Sequence, residues 1–362
     1  MNIIKKIINF WKKREQKALP EAQVQNNYAN MNKNRNWMLI NNSYNQPTKI
    51  DMEIDSFLNL YSNMIENADI TQPIDTRKMA YRALVSMNGK PVTQEEYNKN
   101  FYKEQMLLSQ LNNNSQYKVQ AQNTSNGTAF YHVRSYNHRL PKNEDIVRLY
   151  INCNNGNIAE LSNLILACNQ NPNFYMKFAA NDSNVINSRG EKIVIYCDKN
   201  EVNSTMELIQ NTKNMRPDLY KESENLLPFL QNINNTVSVA KQPLTDQFKD
   251  LKGNYKTIPQ STNSFISCTL QESYMEAVKE IARSDTNLSF LLQNDCLDNE
   301  YLYMRNYPYI NSKYHDYLLQ SMEAKMAILS KNNDIDIEGI PKQYQQDIEY
   351  GQKNNQNEYY RQ

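Results

Sequence analysis

The chain has only seven glycines in 362 residues. No G-x-G-x-x-G or P-loop pattern occurs, which excludes a glycine-rich phosphate cradle. Histidine is scarcer still, limited to His132, His138 and His315. The five cysteines, Cys153, Cys168, Cys197, Cys268 and Cys296, never stand at C-x-x-C spacing. His132 and His138, six apart in one extended segment, would lie ~20 Å from each other. No metal site is therefore expected, and the scattered, odd-numbered cysteines read as reduced thiols. Cys168 and Cys197, with apolar neighbours, read as core. No apolar run approaches the ~20 residues of a membrane span. Neither charge sign dominates: 40 Lys and Arg against 39 Asp and Glu give +1. That removes an overall pull toward nucleic acid but leaves room for a local basic pocket.

What is present is patterned. In "MNIIKKIINFWKKR" Ile3, Ile4, Ile7, Ile8 and Trp11 share one helical face, with lysines elsewhere. An unbroken apolar stretch and a small-residue cleavage site are both missing, so a signal peptide is not read. The spacing predicts a basic amphipathic helix that docks on protein, contact with anionic lipid being the alternative. Residues 1–50 then form this helix and an Asn- and Gln-rich connector. Residues 51–120 form a helical region, with helices from Asp51, over Thr76–Met87, and over Gln94–Leu111 behind a Thr93–Glu96 capping box.

Residues 121–290 change texture. "AFYHVRSY", "DIVRLYINC", "FYMKFAA" and "EKIVIYCD" read as strands, and "NIAELSNLILACNQ" as a helix. Further helices are expected near Glu201–Asn211, Tyr220–Asn232 and Leu270–Arg283. Residues 291–362 form a Tyr-rich helical tail to about Ser330, with a disordered end past Gly351. The fold class is α+β: a helical N-terminal region followed by a mixed sheet flanked by helices.

Basic and phenolic residues gather on these strands. Arg148, Tyr150 and Asn152 alternate and share one face. Lys177 interrupts the apolar "FYMKF", Tyr196 closes "IVIYC", and Arg189 precedes that strand. Together they make a cationic pocket for phosphate. Blander readings compete. A strand lysine often snorkels to solvent. Arg148 has Asp145 and Glu160 as surface partners. Tyr196 and His132 fit ordinary packing.

The order "AFYHVRS", "VRLYINC", "FYMKF", "SRGEKIVIYC" and "NSFISCTLQESYMEAV", spanning about Ala129–Ala282, resembles the HopA-type family of type III effectors of plant pathogens. That family also supplies lyase-like proteins of lanthipeptide gene clusters and is similar in its core to the phosphothreonine lyases of enteric pathogens. The sequence departs from the pattern at Ile266, where a glycine is usual, at Gly190-Glu191, and at Asn152, where no histidine stands.

The resemblance implies β-elimination of phosphate from phosphothreonine or phosphoserine, with no cofactor. Lys177, with a pKa depressed by burial and by facing arginines, would be the base and His132 the acid, with His138 behind it. Arg148 and Arg189 would grip phosphate, with Tyr150, Tyr196 and Asn152 as further contacts. The implied substrate is a phosphorylated protein or precursor peptide, beside a partner kinase or a secretion chaperone. The setting is the bacterial cytoplasm, or a host cell after secretion. A non-catalytic effector, or a module binding phosphopeptide or leader peptide, is the alternative.

Overall fold

A computed structural model describes residues 47–69, 74–89, 91–124, 127–139, 141–142, 145–181, 189–223, 227–292 and 299–340. The amphipathic N-terminal segment, most of the connector and the end past Gly351 lie outside the described residues.

Three helices come first: α1 (Lys49–Glu66), α2 (Thr76–Ser86) and α3 (Gln94–Asn112). The expected capping box opens α3: Glu96 N–H donates to Thr93 Oγ1 at 3.2 Å, and Thr93 N–H donates to Glu96 Oε2 at 2.9 Å. Each satisfies a donor that the helix itself leaves free. A second box, Thr48–Asp51, opens α1.

The sheet follows. Its strands are β1 (Tyr117–Thr124), β2 (Gly127–Ser135), β3 (Ile146–Ile151), β4 (Tyr175–Ala179), β5 (Ile193–Asp198), β6 (Gln231–Asn234) and β7 (Val237–Lys241). They lie in the order β1-β2-β4-β5-β3-β7-β6, each pair antiparallel. Helices α4 (Ile158–Cys168) and α5 (Val202–Met215) interrupt the strands. The hairpin β8 (Gln247–Lys249) and β9 (Tyr255–Thr257) leads to α6 (Thr262–Ser284), α7 (Asn299–Arg305) and α8 (Tyr307–Asn333). The fold is α+β.

The sheet is covered on both faces. Leu149, Ile151, Met176, Phe178, Ile193 and Ile195 pack with Leu161 and Ile165 of α4, Ile209 of α5 and Leu107 of α3. Tyr150 and Val194, on the opposite face, join a larger core with Phe57 and Tyr61 of α1 and Phe265, Leu270 and Tyr274 of α6. Strands buried on both sides explain the nearly continuous apolar runs of β3 and β5.

One expected helix is corrected. Residues Tyr220–Asn232 contain no helix among those described: Tyr220 bridges to Cys153, and β6 begins at Gln231. Pro228 removes a backbone donor there, and Phe229 takes φ 62. Its N–H donates to Glu53 Oε2 at 2.8 Å, which seats the ring in the core. The apolar residues read as a helix face are turn residues that dip inward.

Candidate functional site

Register places the charged residues. His132 of β2 lies opposite Lys177 of β4, Lys177 opposite Val194 of β5, and Val194 opposite Tyr150 of β3. The adjoining row runs Arg134, Tyr175, Tyr196 and Arg148 across the same four strands. Directly opposed residues share a face, so Lys177, His132, Tyr150, Tyr196 and Arg148 all lie on one side.

The Lys177 side chain is only 12% exposed, which excludes the solvent-facing reading. Its ammonium sits 4.1 Å from the Phe130 ring centroid and 3.7 Å from Glu191 Oε1. Arg189 donates from Nη1 to the same Glu191 oxygen at 2.7 Å, and its guanidinium lies over Tyr81 and Phe130. Asn263, in the first turn of α6, donates to Glu191 Oε2 at 3.2 Å. Burial by itself would raise the Glu191 pKa. Lys177, Arg189 and Arg148 outweigh it and hold the carboxyl below the ordinary 4.5. The expected set of a lysine facing only arginines is corrected on this point: a carboxylate stands among them.

Arg148 takes neither Asp145 nor Glu160. Asp145 pairs with Lys199, and Glu160 with Lys103 and Arg216. Arg148 instead donates to Gln242 and stacks 5.2 Å from the Tyr196 centroid. Tyr196 stacks on Tyr175 at 4.4 Å, and Arg134 caps the other end of that pair at 4.6 Å. Burial pushes the Tyr150 and Tyr196 phenols up, so both stay protonated at neutral pH. Neither the Tyr150 hydroxyl nor Arg148 Nε has a partner at hydrogen-bonding geometry.

His132 is held between Tyr175 Oη, 2.7 Å from Nδ1, and Gln122 Oε1, 3.0 Å from Nε2. Burial first, then Lys177 and Arg134, lower its pKa to about 4, which leaves the imidazole neutral at pH 7. His138 packs against Tyr175 at 5.4 Å, away from the row that holds Lys177. Asn152 donates to the Lys221 carbonyl at 2.7 Å. It lines a cavity of about 280 Å³ that it shares with Tyr150, Glu191, Met87, Lys221 and Leu227.

Glu191 entered the sequence reading only as a departure from the family pattern, and Asn263, Arg134 and Tyr175 were given no role there. Two carried a signal: Tyr175 is two before Lys177 in "FYMKF", and Glu191 is a charge set directly against an apolar strand. Among the described residues no His, Cys, Asp and Glu cluster could hold a metal ion, and no helix is long and apolar enough to cross a membrane.

No family model matches the chain, and no curated protein matches it. Solved structures do, two effector proteins among them. An effector protein of Pseudomonas syringae pv. tomato strain DC3000 is similar at 14% identity and a TM-score of 0.40, over 62% of this chain and 87% of that one. An effector protein of Pseudomonas syringae pv. syringae strain 61 is similar at 14% identity and a TM-score of 0.39, over 60% and 88%.

Proposed function

We propose that the protein acts on phosphorylated serine or threonine in a protein or precursor peptide, by β-elimination, as a secreted effector or in lanthipeptide maturation. One observation carries the reading: Lys177, Arg189 and Arg148 act on one buried point, now held by the Glu191 carboxylate. A phosphate offers the same acceptor chemistry with more charge. In the proposed reaction Lys177 acts as the neutral amine, its ammonium proton passed off before the step; it takes the Cα proton, and that electron pair forms the Cα=Cβ bond. The Cβ–O bond then breaks, and phosphate departs with the bridging oxygen and one proton. Arg189 and Arg148 offset the charge growing on the leaving group. His132, opposite Lys177, delivers the proton. An arriving phosphate dianion opposes the influence of Lys177 and Arg134 and favours the imidazolium.

The second reading, a binding module without turnover, has its own support. Glu191 lies 3.7 Å from the proposed base, and His132 is neutral in the free protein. Mass spectrometry of a phosphopeptide panel separates the two. Elimination lowers the peptide mass by ~98 Da, whereas hydrolysis lowers it by ~80 Da, because only elimination takes the bridging oxygen. Lys177→Ala is expected to abolish turnover and keep peptide binding, while Arg148→Ala and Arg189→Ala weaken binding. Tight binding without any mass change in the wild type selects the binding module.

A further inference from the structure

The cavity beside Glu191 has its own chemistry. One wall is Tyr150, only 3% exposed, whose hydroxyl lies beside the Arg148 guanidinium, itself a donor, and donates to no acceptor at hydrogen-bonding geometry. Another is Lys221, held by two backbone ties to Asn152: its N–H donates to the Asn152 carbonyl at 3.2 Å, and its carbonyl accepts from Asn152 Nδ2 at 2.7 Å. Among the described residues no carboxylate pairs with the Lys221 ammonium. The cavity therefore presents two donor groups beside a carboxylate, Glu191, that is already taken by Lys177, Arg189 and Asn263. Leaving such donors unpaired is costly, and a site built this way selects an acceptor. Met87 and Leu227 add apolar surface for a short aliphatic stem.

Charge points the same way. Lys221 is the cation in the cavity's lining, while Lys177, Arg189 and Arg148 act on Glu191 from beyond it. A phosphate taken up at that cluster leaves the Lys221 charge unanswered.

We propose that this cavity is a specificity subsite for a carboxylate side chain, an Asp or Glu next to the phosphorylated residue in the substrate. Tyr150 and Lys221 grip the carboxylate, and Met87 and Leu227 cover its methylenes. The assignment rests on the phosphopeptide reading and adds to it the substrate class: acidic phosphopeptides. At about 280 Å³ the space is near the lower end of ligand pockets, which suits one side chain with its backbone and not a second whole ligand.

The test is fluorescence anisotropy with phosphothreonine peptides carrying Glu, Gln or Lys at the position before or after the phosphoresidue. At one of the two positions the Glu peptide is expected to bind about tenfold tighter than the Gln peptide, as for one charge-assisted contact. Lys221→Gln should bring the two within about twofold, and Lys221→Glu should reverse the order in favour of Lys. Melting curves of both variants should match the wild type. Phosphopeptides that bind without any flank preference, or a preference that survives Lys221→Gln, overturn the subsite and leave the phosphopeptide reading intact. No binding of any phosphopeptide by the wild type overturns that reading, and the subsite with it.

Discussion

Glu191 is 5% exposed and is a carboxylate only because of what surrounds it. Removing it leaves Lys177 and Arg189 buried beside one another without a counter-charge. Breaking a buried pair from one side costs about 3–5 kcal/mol, so Glu191→Ala is expected to lower the melting temperature markedly. Inorganic phosphate or sulfate should recover part of that loss, because the anion fills the seat the carboxylate has left. The check is a melting series in rising phosphate. The variant should gain more than the wild type, and equal gains would mean the cations do not form an anion seat. Sequence reading reached most of this cluster because strand alternation needs only the residue types. Arg148 and Tyr150 were placed on one face by period, and the register brings Lys177 and Tyr196 of the neighbouring strands to the same side. Glu191 and Asn263 escaped because neither belongs to an alternating run. Glu191 is in the approach to β5 and Asn263 is in a helix first turn, 72 residues apart, and only tertiary packing joins them.

At the scale of elements, the junction between α2 and β5 depends on Gly190. Its N–H donates to the Val85 carbonyl at 3.1 Å, and a Cβ there would lie 2.9 Å from Leu227 Cδ2 and 3.2 Å from Asn88 Cβ. A methyl group fits only if the Leu227 side chain swings aside and the turn at Asn88, after α2, gives a little. Overpacking of this kind costs about 1–3 kcal/mol, so Gly190→Ala is expected to destabilise by that amount in urea unfolding. It should also weaken phosphopeptide binding, since Arg189 and Glu191 flank the position. An unchanged midpoint would show that the junction yields freely. Elements with a strong period were legible: α3 and its cap, α4, β3 and β5. Strand β1 was not, because six of its eight residues are exposed and only Tyr117 and Val119 are half-buried. An edge strand with little apolar alternation gives the period argument little to act on. The Tyr220–Asn232 region failed in the opposite sense: its apolar residues were present, but Pro228 denied them a helix.

For the whole molecule, two of the contacts that join α1 to α8 titrate, and both favour low pH. Asp51, 2% exposed, caps α1 by accepting from Thr48 N–H at 2.9 Å, and it faces Glu323 of α8, 6% exposed. Burial first, then the hydrogen bond and charge of Asp51, push the Glu323 carboxyl up to about 8 from an ordinary 4.5. The folded protein therefore keeps a proton that the unfolded chain has lost above pH 4.5, and stability falls as pH rises from about 4.5 to about 8. His315 of α8 lies 2.9 Å from Asp55 of α1 and 3.1 Å from Asp316, and its pKa is raised. Burial opposes the two carboxylates there and loses. Its contribution is complete below the ordinary 6.5 and disappears as pH rises through the raised value. In the other direction, His132 and His138 have lowered values and lose stability as pH falls below the ordinary 6.5, toward about 4 for His132, while Glu191, Glu280 and Asp285, also lowered, lose their share only in strong acid. Maximal stability is expected in mildly acidic solution. Glu323→Gln keeps the shape of the protonated carboxyl and removes the titration. Its melting temperature should match the wild type near pH 5 and exceed it at pH 8. A variant that falls in parallel with the wild type between those values would show that α1 and α8 are not held together through this proton.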